Sequence, residues 1–188
     1  QKWVMKLAYV SFAGSQPKLG NIQILTPGDM AFYETHGFLP EDRGFLYSAT
    51  KVENDYRNLE IYRYDFATSK SIMLTDPSVG AWDEHAQPSP DGKRIIWMSS
   101  QDIPQKEDSK NPLAIKTDYW VMDAAGSHKR RITFFNDPSA PEYRRSWNIA
   151  SDISWSPDGR QAMGYLQQIT LFVGRGQFPG TMLLMDVP

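Results

Sequence analysis

The sequence predicts an all-β fold made of repeated four-stranded units, and two observations lead to this prediction. First, Ser-Pro-Asp-Gly occurs twice, at Ser89–Gly92 and Ser156–Gly159, each time between apolar segments. Because proline presets φ at about −65° and Asp-Gly favours left-handed backbone, each copy predicts a β-hairpin. Second, no long segment shows helical periodicity, while the 13 glycines and 13 prolines fit short strands joined by many turns.

The second half of each unit follows its hairpin. An aromatic-rich run ends in aspartate at Ile61–Asp65 and again at Tyr119–Asp123, and ten residues later an apolar run ends in Thr75 and Thr133. The identical spacing predicts two further strands, C and D, after the hairpin strands A and B. A degenerate third hairpin is expected at Leu39–Gly44, where Pro-Glu-Asp-Arg-Gly replaces the regular turn.

The order of these segments predicts 13 strands, and the first and last units are incomplete. Strands C–D fall in residues 1–29, A–B–C–D in 30–75, A–B–C–D in 76–133 and A–B–C in 134–188. This layout is typical of a β-propeller, whose closed rings need about four to eight four-stranded blades. The chain is therefore expected to hold about three to four blades of an incomplete ring. The remaining blades would come from a longer chain, or alternatively from a second chain or self-association.

The repeat closely resembles that of the TolB-like β-propellers, in which Ser-Pro-Asp-Gly-Lys is followed by Ile-x-Phe-x-Ser, Ile-Tyr-x-Met-Asp-x-x-Gly and Leu-Thr. Ser89–Ser99, Tyr119–Thr133 and Ser154–Arg160 follow this pattern. The resemblance implies a periplasmic or extracellular protein. It leaves the function open, because similar repeats occur in the periplasmic TolB component, in prolyl-oligopeptidase-type peptidases and in oligogalacturonate lyases.

The composition excludes several classes of function. A net charge of −2 gives no electrostatic basis for binding nucleic acid. The apolar runs are too short for a membrane span, which needs about 20 residues. The chain has no cysteine, so disulfides and thiolate metal sites are excluded.

The long connections all join strand B to C, or strand D to the next A, whereas the other turns are short. They comprise residues 50–58, 75–85, 101–116, 134–151 and 174–180. In an up-and-down blade such connections share one face, so this face is expected to carry function. The candidate ligand- or partner-binding residues, where strand A enters the channel, are Glu34, Asp83, Glu84, His85, Arg144, Arg145, Trp147, Asn148 and Asp152.

Two interpretations of these polar residues stay open. A mouth lined by carboxylates, imidazole and guanidinium is suited to a peptide terminus, a sugar acid or a cation. Alternatively, the acids cap turns and the arginines pair with them. Among the tryptophans, Trp97, Trp120 and Trp155 are expected between blades, whereas Trp82 and Trp147 either stack on a ligand or pack over the channel.

No cofactor is expected, although a divalent metal near His85 and Gln87 is an alternative, with Asp83 close by. By strand alternation His36 is one step out of phase with His85 and is expected to point away. His128 falls in a C–D turn on the opposite face.

Catalytic motifs are missing from the sequence. There is no Gly-x-Ser-x-Gly elbow and no Gly-rich phosphate loop before a helix. The function predicted is a non-catalytic binding or scaffolding module that engages a protein or small ligand through the long-loop face. The alternatives are a metal-dependent enzyme on acidic sugars, similar to oligogalacturonate lyases, and the regulatory propeller of a peptidase.

Overall fold

The computed structural model describes residues 3–53, 55–105, 115–172, 175–177 and 179–188. Its described elements are β-strands and three short 3-10 turns at Pro40–Asp42, Tyr56–Asn58 and Pro77–Val79. The strands are β1 (Met5–Ala13), β2 (Gln16–Leu25), β3 (Phe32–Phe38), β4 (Gly44–Thr50), β5 (Glu60–Asp65), β6 (Lys70–Met73), β7 (Asp83–Pro88), β8 (Arg94–Ser99), β9 (Asp118–Asp123), β10 (Arg130–Arg131), β11 (Trp147–Trp155), β12 (Gln161–Phe172), β13 (Arg175–Gln177) and β14 (Gly180–Asp186).

The strands form four antiparallel sheets in chain order. The first sheet pairs β1 with β2, the second has the order β3-β4-β5-β6, and the third has the order β7-β8-β9-β10. In the fourth sheet β12 pairs with β11 on one side and with β13 and β14 on the other. The sequence predicts only a connection over residues 174–180, and the strand β13 within this range corrects that prediction. The first strand of each later sheet contacts the sheet before it, which gives a propeller-like all-β fold.

Both regular hairpins are confirmed, and their turns are built by the same bonds. The Ser89 hydroxyl donates to Asp91 Oδ1 at 2.6 Å and accepts from the backbone N–H of Arg94 at 3.0 Å. The Gly92 N–H closes the turn on the Ser89 carbonyl at 2.8 Å, with a left-handed φ of 68° at Gly92. The second copy repeats these bonds at Ser156, Asp158, Gly159 and Gln161.

Successive hairpins lie side by side. A methyl group built on Gly92 would lie 3.2 Å from Cγ of Pro40, and one on Gly159 would lie 3.6 Å from Cδ of Pro90. Each turn glycine therefore packs against the proline of the preceding hairpin. The A–B turns accordingly share one end of the molecule.

A separate apolar core fills each space between consecutive sheets. Tyr33 and Tyr47 belong to the core between the first two sheets, Trp97 and Trp120 to the next, and Tyr119 to the last. Trp97 and Trp120 are thus buried between sheets, as predicted. Trp155 is half-buried and reaches the third sheet, where its Nε1 donates to the Gln87 carbonyl at 3.0 Å.

The threonines at the ends of the D segments tie strands together. The Thr75 hydroxyl accepts from the N–H of Ile61 at 2.9 Å and donates to Glu60 at 2.5 Å. Thr133 does the same in the next sheet, accepting from Tyr119 N–H and donating to Asp118, both at 2.9 Å. The repeated threonine therefore has a structural role, because it satisfies a backbone donor and an acid that are both buried.

Candidate functional site

The candidate site lies on the first strands of the second, third and fourth sheets, where these strands face one another. Glu34 lies on β3, Glu84 and His85 lie on β7, and Asp152 lies on β11. Three consecutive sheets therefore contribute side chains to one cluster, which we call the carboxylate–histidine cluster, made of Glu34, His36, Glu84, His85 and Asp152.

A β-bulge in each first strand brings these residues together. Between the pairs Thr35–Tyr47 and Phe38–Phe45, two residues of β3 oppose one residue of β4. The same two-to-one mismatch occurs in β7 at His85 and its successor, and in β11 at residues 151–152. A bulge adds one residue to a strand and so reverses the alternation of side chains beyond it.

The expectation that His36 points away from His85 is wrong for this reason. Both histidines are the first residue of their bulge, and their rings lie 5.9 Å apart between centroids. Strict alternation along an unbroken strand had placed them on opposite faces. The sequence signal for the bulge is Gly37, next to His36, because glycine inside a strand often marks a bulge or a close approach. In the structure a Cβ built at Gly37 would lie 2.4 Å from Gln87 Oε1.

His85 connects the acids of the cluster. Its Nδ1 lies 3.2 Å from Asp152 Oδ1, and its Nε2 lies 3.7 Å from Glu84 Oε2. His85 has a left-handed φ of 54°, which is uncommon for residues other than glycine. The Glu84 carboxylate also accepts a bond of 2.8 Å from Nε1 of Trp82. The side chain of Trp82 is buried, so of the two alternatives for Trp82 the structure favours packing inside the protein.

Burial shifts the protonation of two cluster residues. Burial, and then the nearby His85, lowers the pKa of His36 to about 3, so this histidine is neutral near pH 7. Burial, and then the Glu34 carboxyl, raises the pKa of Glu84 well above its ordinary value. The carboxylates of Glu34 and Glu84 are neighbours, so ionising both is unfavourable unless a positive charge lies between them.

A cavity of about 200 Å³ opens beside the cluster, between the third and fourth sheets. Its apolar walls come from Met98, Ile115 and Ile149, together with Trp82. Its polar groups are Glu84, His85, Ser151, Tyr165 and Gln167. No sequence signal marks Tyr165 or Gln167, because β12 looks like any other B strand.

Several predicted site residues make hydrogen bonds that hold the fold together. Asp83 is buried and accepts from Nε1 of Trp97 at 2.8 Å. Asn148 is buried and donates to the carbonyls of Phe135, Arg144 and Ser146, which holds the preceding loop. Trp147 donates from Nε1 to the Ile115 carbonyl at 2.8 Å.

The arginine side chains at positions 144 and 145 are exposed. Among the described residues no ion pair is recorded between either of them and the three carboxylates of the cluster. The structure therefore brings together Glu34, Glu84, His85 and Asp152, and leaves Arg144 and Arg145 on the surface outside the cluster.

A buried acid near the site predicts a pH-dependent stability. Glu60 is 3% exposed, and within the described chain its Oε1 has no hydrogen-bond partner. Burial raises its pKa to about 7. The folded state therefore binds more protons than the unfolded state between the ordinary pKa and that value, so stability falls as pH rises through this window.

Glu60→Gln is expected to be more stable than the parent by ~1–3 kcal/mol at about pH 8, and to converge with it at about pH 5, because glutamine mimics the protonated acid. Urea unfolding at both pH values measures the difference. The exposed Glu53→Gln is the control. Equal pH dependence of parent and Glu60→Gln would contradict the prediction.

Comparison with known proteins supports the fold and not a family. No protein-family model matches the sequence, and no curated protein matches it either. Among solved structures, the crystal structure of the tricorn protease matches with a TM-score of 0.53 and 12% identity, over 96% of this chain and 17% of that chain. The chain thus spans about a sixth of that structure's length. In the described part no helix is long and apolar enough to cross a membrane. At this level of identity the likeness concerns the fold alone, an all-β, propeller-like arrangement.

Proposed function

We propose that this chain is a non-catalytic binding module that takes up a positively charged ligand at the carboxylate–histidine cluster. The observation that carries the proposal is the meeting of Glu34, Glu84 and Asp152 around His85. Within the described residues, no lysine or arginine forms an ion pair with any of these three carboxylates. Carboxylates that lie close together without a lysine or arginine to neutralise them favour the binding of a cation from solution.

The surroundings of the cluster support binding rather than catalysis. A serine–histidine contact exists, since Ser48 Oγ lies 2.6 Å from His36 Nε2. However, Ser48 is fully buried and its hydroxyl donates to the Asp83 carbonyl at 3.2 Å. A nucleophile must reach its substrate, so this pair is not arranged for attack. The neighbouring cavity, by contrast, offers an apolar wall and several hydrogen-bonding groups, as ligand sites do.

A panel of charged probes tests this proposal. The full chain would be melted with zinc chloride, 1,4-diaminobutane, a tripeptide with a free amino terminus, or sodium phosphate, all at equal ionic strength. At least one cationic probe is expected to raise Tm by about 2–4 °C or more. Phosphate is expected to have no such effect.

The double variant Glu84→Gln, Asp152→Asn is expected to lose the cation-dependent shift, because it removes two of the three carboxyl groups that would face the cation. Asp137→Asn, which changes an acid of the preceding loop outside the cluster, is the matched control and should keep the shift. Stabilisation by phosphate alone, or a shift by 1,4-diaminobutane or the tripeptide that survives in the double variant, would refute the proposal.

We also propose that further propeller blades cover the two ends of the sheet series. Large apolar side chains are exposed on both terminal sheets, with Phe12 at 69% and Ile24 at 61% on the first, and Leu184 at 70% on the fourth. Further blades would bury these side chains, as consecutive sheets bury one another within the chain.

A further inference from the structure

Three potential metal ligands meet at the junction between the second and third sheets. One carboxylate oxygen of Glu34 and one ring nitrogen each of His36 and His85 all lie within 4.8 Å of one another. All three residues are half-buried, so they are partly shielded from water without being closed off. Two come from the bulge positions of neighbouring sheets, which makes their meeting a consequence of the fold and not of sequence adjacency.

The hydrogen-bond partners of each histidine indicate which ring nitrogen carries its free lone pair. A carboxylate only accepts, so Asp152 at 3.2 Å places the His85 proton on Nδ1 and leaves the lone pair on Nε2. The Ser48 hydroxyl donates to the Asp83 carbonyl, so it accepts from His36 Nε2–H at 2.6 Å. The lone pair of His36 is therefore on Nδ1.

This pattern is the one that metal-binding histidines show. A ligating imidazole usually donates its second N–H to a carboxylate, a carbonyl or another polar group, which fixes the ring and raises its basicity. Asp152 accepts the second N–H of His85 in this way, and the Ser48 hydroxyl accepts that of His36. His85 also has a left-handed backbone, a conformation that is unfavourable for residues other than glycine. Backbone strain of this kind is common at functional sites, where the surrounding structure maintains it.

We propose that Glu34, His36 and His85 bind a divalent transition-metal ion of the zinc type, an inference that rests on the proposed cation-binding function and names its cation. Two imidazoles and one carboxylate are a donor set that zinc accepts, with one position left open. Nitrogen donors favour zinc, cobalt or nickel over magnesium and calcium, which prefer oxygen. Zinc–ligand bonds of about 2.0–2.1 Å place the donor atoms of a tetrahedral site about 3.3–3.5 Å apart. Small rotations of the three side chains would bring their ligand atoms to this separation.

Metal titration of the chelator-stripped full chain tests the inference. Calorimetry with zinc chloride is expected to show one equivalent bound, and cobalt chloride is expected to give the visible absorption of a tetrahedral site. His36→Ala and His85→Ala should each weaken zinc binding at least 100-fold. Asp152→Asn should weaken it about 10- to 100-fold, because Asp152 orients His85. His128→Ala, an exposed histidine in the turn after β9, should bind zinc as the parent does.

Several results would overturn the inference. They are the absence of zinc binding, equal affinity for magnesium, or full affinity retained in both His36→Ala and His85→Ala. If an alanine variant does not fold, as judged by circular dichroism, His36→Gln and His85→Gln keep the size of the side chain and answer the same question. Failure of zinc with success of 1,4-diaminobutane or the tripeptide would reject the metal and keep the proposed function. Failure of every cation would reject both.

Discussion

Asp118→Ala is expected to lower the free energy of unfolding by ~3–5 kcal/mol, because it removes the anion from a buried, hydrogen-bonded pair. Asp118 is fully buried at the start of β9. Its carboxylate accepts from Arg131 Nη2 at 2.7 Å, from the Thr133 hydroxyl at 2.9 Å and from the Phe135 N–H at 2.9 Å. Asn136 Nδ2 adds a longer bond of 3.2 Å.

The size of this effect comes from the groups left behind. Alanine would strand the Arg131 guanidinium, a hydroxyl and a backbone N–H in a region with little water, and each unsatisfied buried group costs about 1–3 kcal/mol. Urea unfolding followed by tryptophan fluorescence measures the loss. Asp123→Ala, at the other end of the same strand, is the control, since its side chain is 48% exposed and a loss below about 1 kcal/mol is expected. Equal losses in the two variants would show that the Asp118 network contributes little.

Gly44→Ala is expected to destabilise the protein by ~3 kcal/mol or more, because the added methyl group has no space. A Cβ at Gly44 would lie 1.9 Å from the carbonyl oxygen of Tyr64, which belongs to the paired strand β5. A backbone atom cannot swing aside as a side chain does. The two central strands of the second sheet, β4 and β5, would therefore have to separate at the end where Gly44 pairs with Asp65.

Gly80→Ala separates this steric effect from the general effect of replacing glycine. Gly80 ends the 3-10 turn at Pro77–Val79 with a φ of 65°, and no atom lies within 4 Å of a Cβ built there. Its cost is expected to be about 1 kcal/mol, from the left-handed backbone alone. Thermal and urea unfolding compare the two variants. If Gly44→Ala lost no more stability than Gly80→Ala, close packing of β4 against β5 would not be the reason for a glycine at position 44.

The hairpins show how far local sequence determines this structure. In Ser89–Gly92 and Ser156–Gly159 the serine, aspartate and glycine make all their turn-forming bonds within six residues, so spacing alone predicts them. The degenerate copy at Leu39–Gly44 also reverses the chain, with left-handed φ values at Glu41 and Asp42 in place of an Asp-Gly turn. The sequence does not predict the short strand β13, because three residues are too few to show the alternation of a strand.

The candidate site was predictable only in part, and His36 shows why. Glu34, Glu84, His85 and Asp152 follow from the rule that polar residues cluster where A strands enter the channel. His36 does not, because the bulge that turns it towards His85 depends on how β3 packs against Gln87 and its neighbours on β7. Asp83 and Asn148 were indistinguishable in sequence from surface polar residues, although both are buried.

The sequence by itself determined the repeated turn–strand unit, the all-β class and the end of the molecule where polar residues gather, because these depend on contacts between near neighbours in the chain. Only the tertiary structure decided which side chains meet. Bulges in β3, β7 and β11 change the side-chain alternation by one residue, and packing between sheets selects them. The pairing of Glu34 with two histidines, the cavity beside Glu84 and the burial of Asp118 all arise from contacts between residues distant in sequence, which periodicity does not encode.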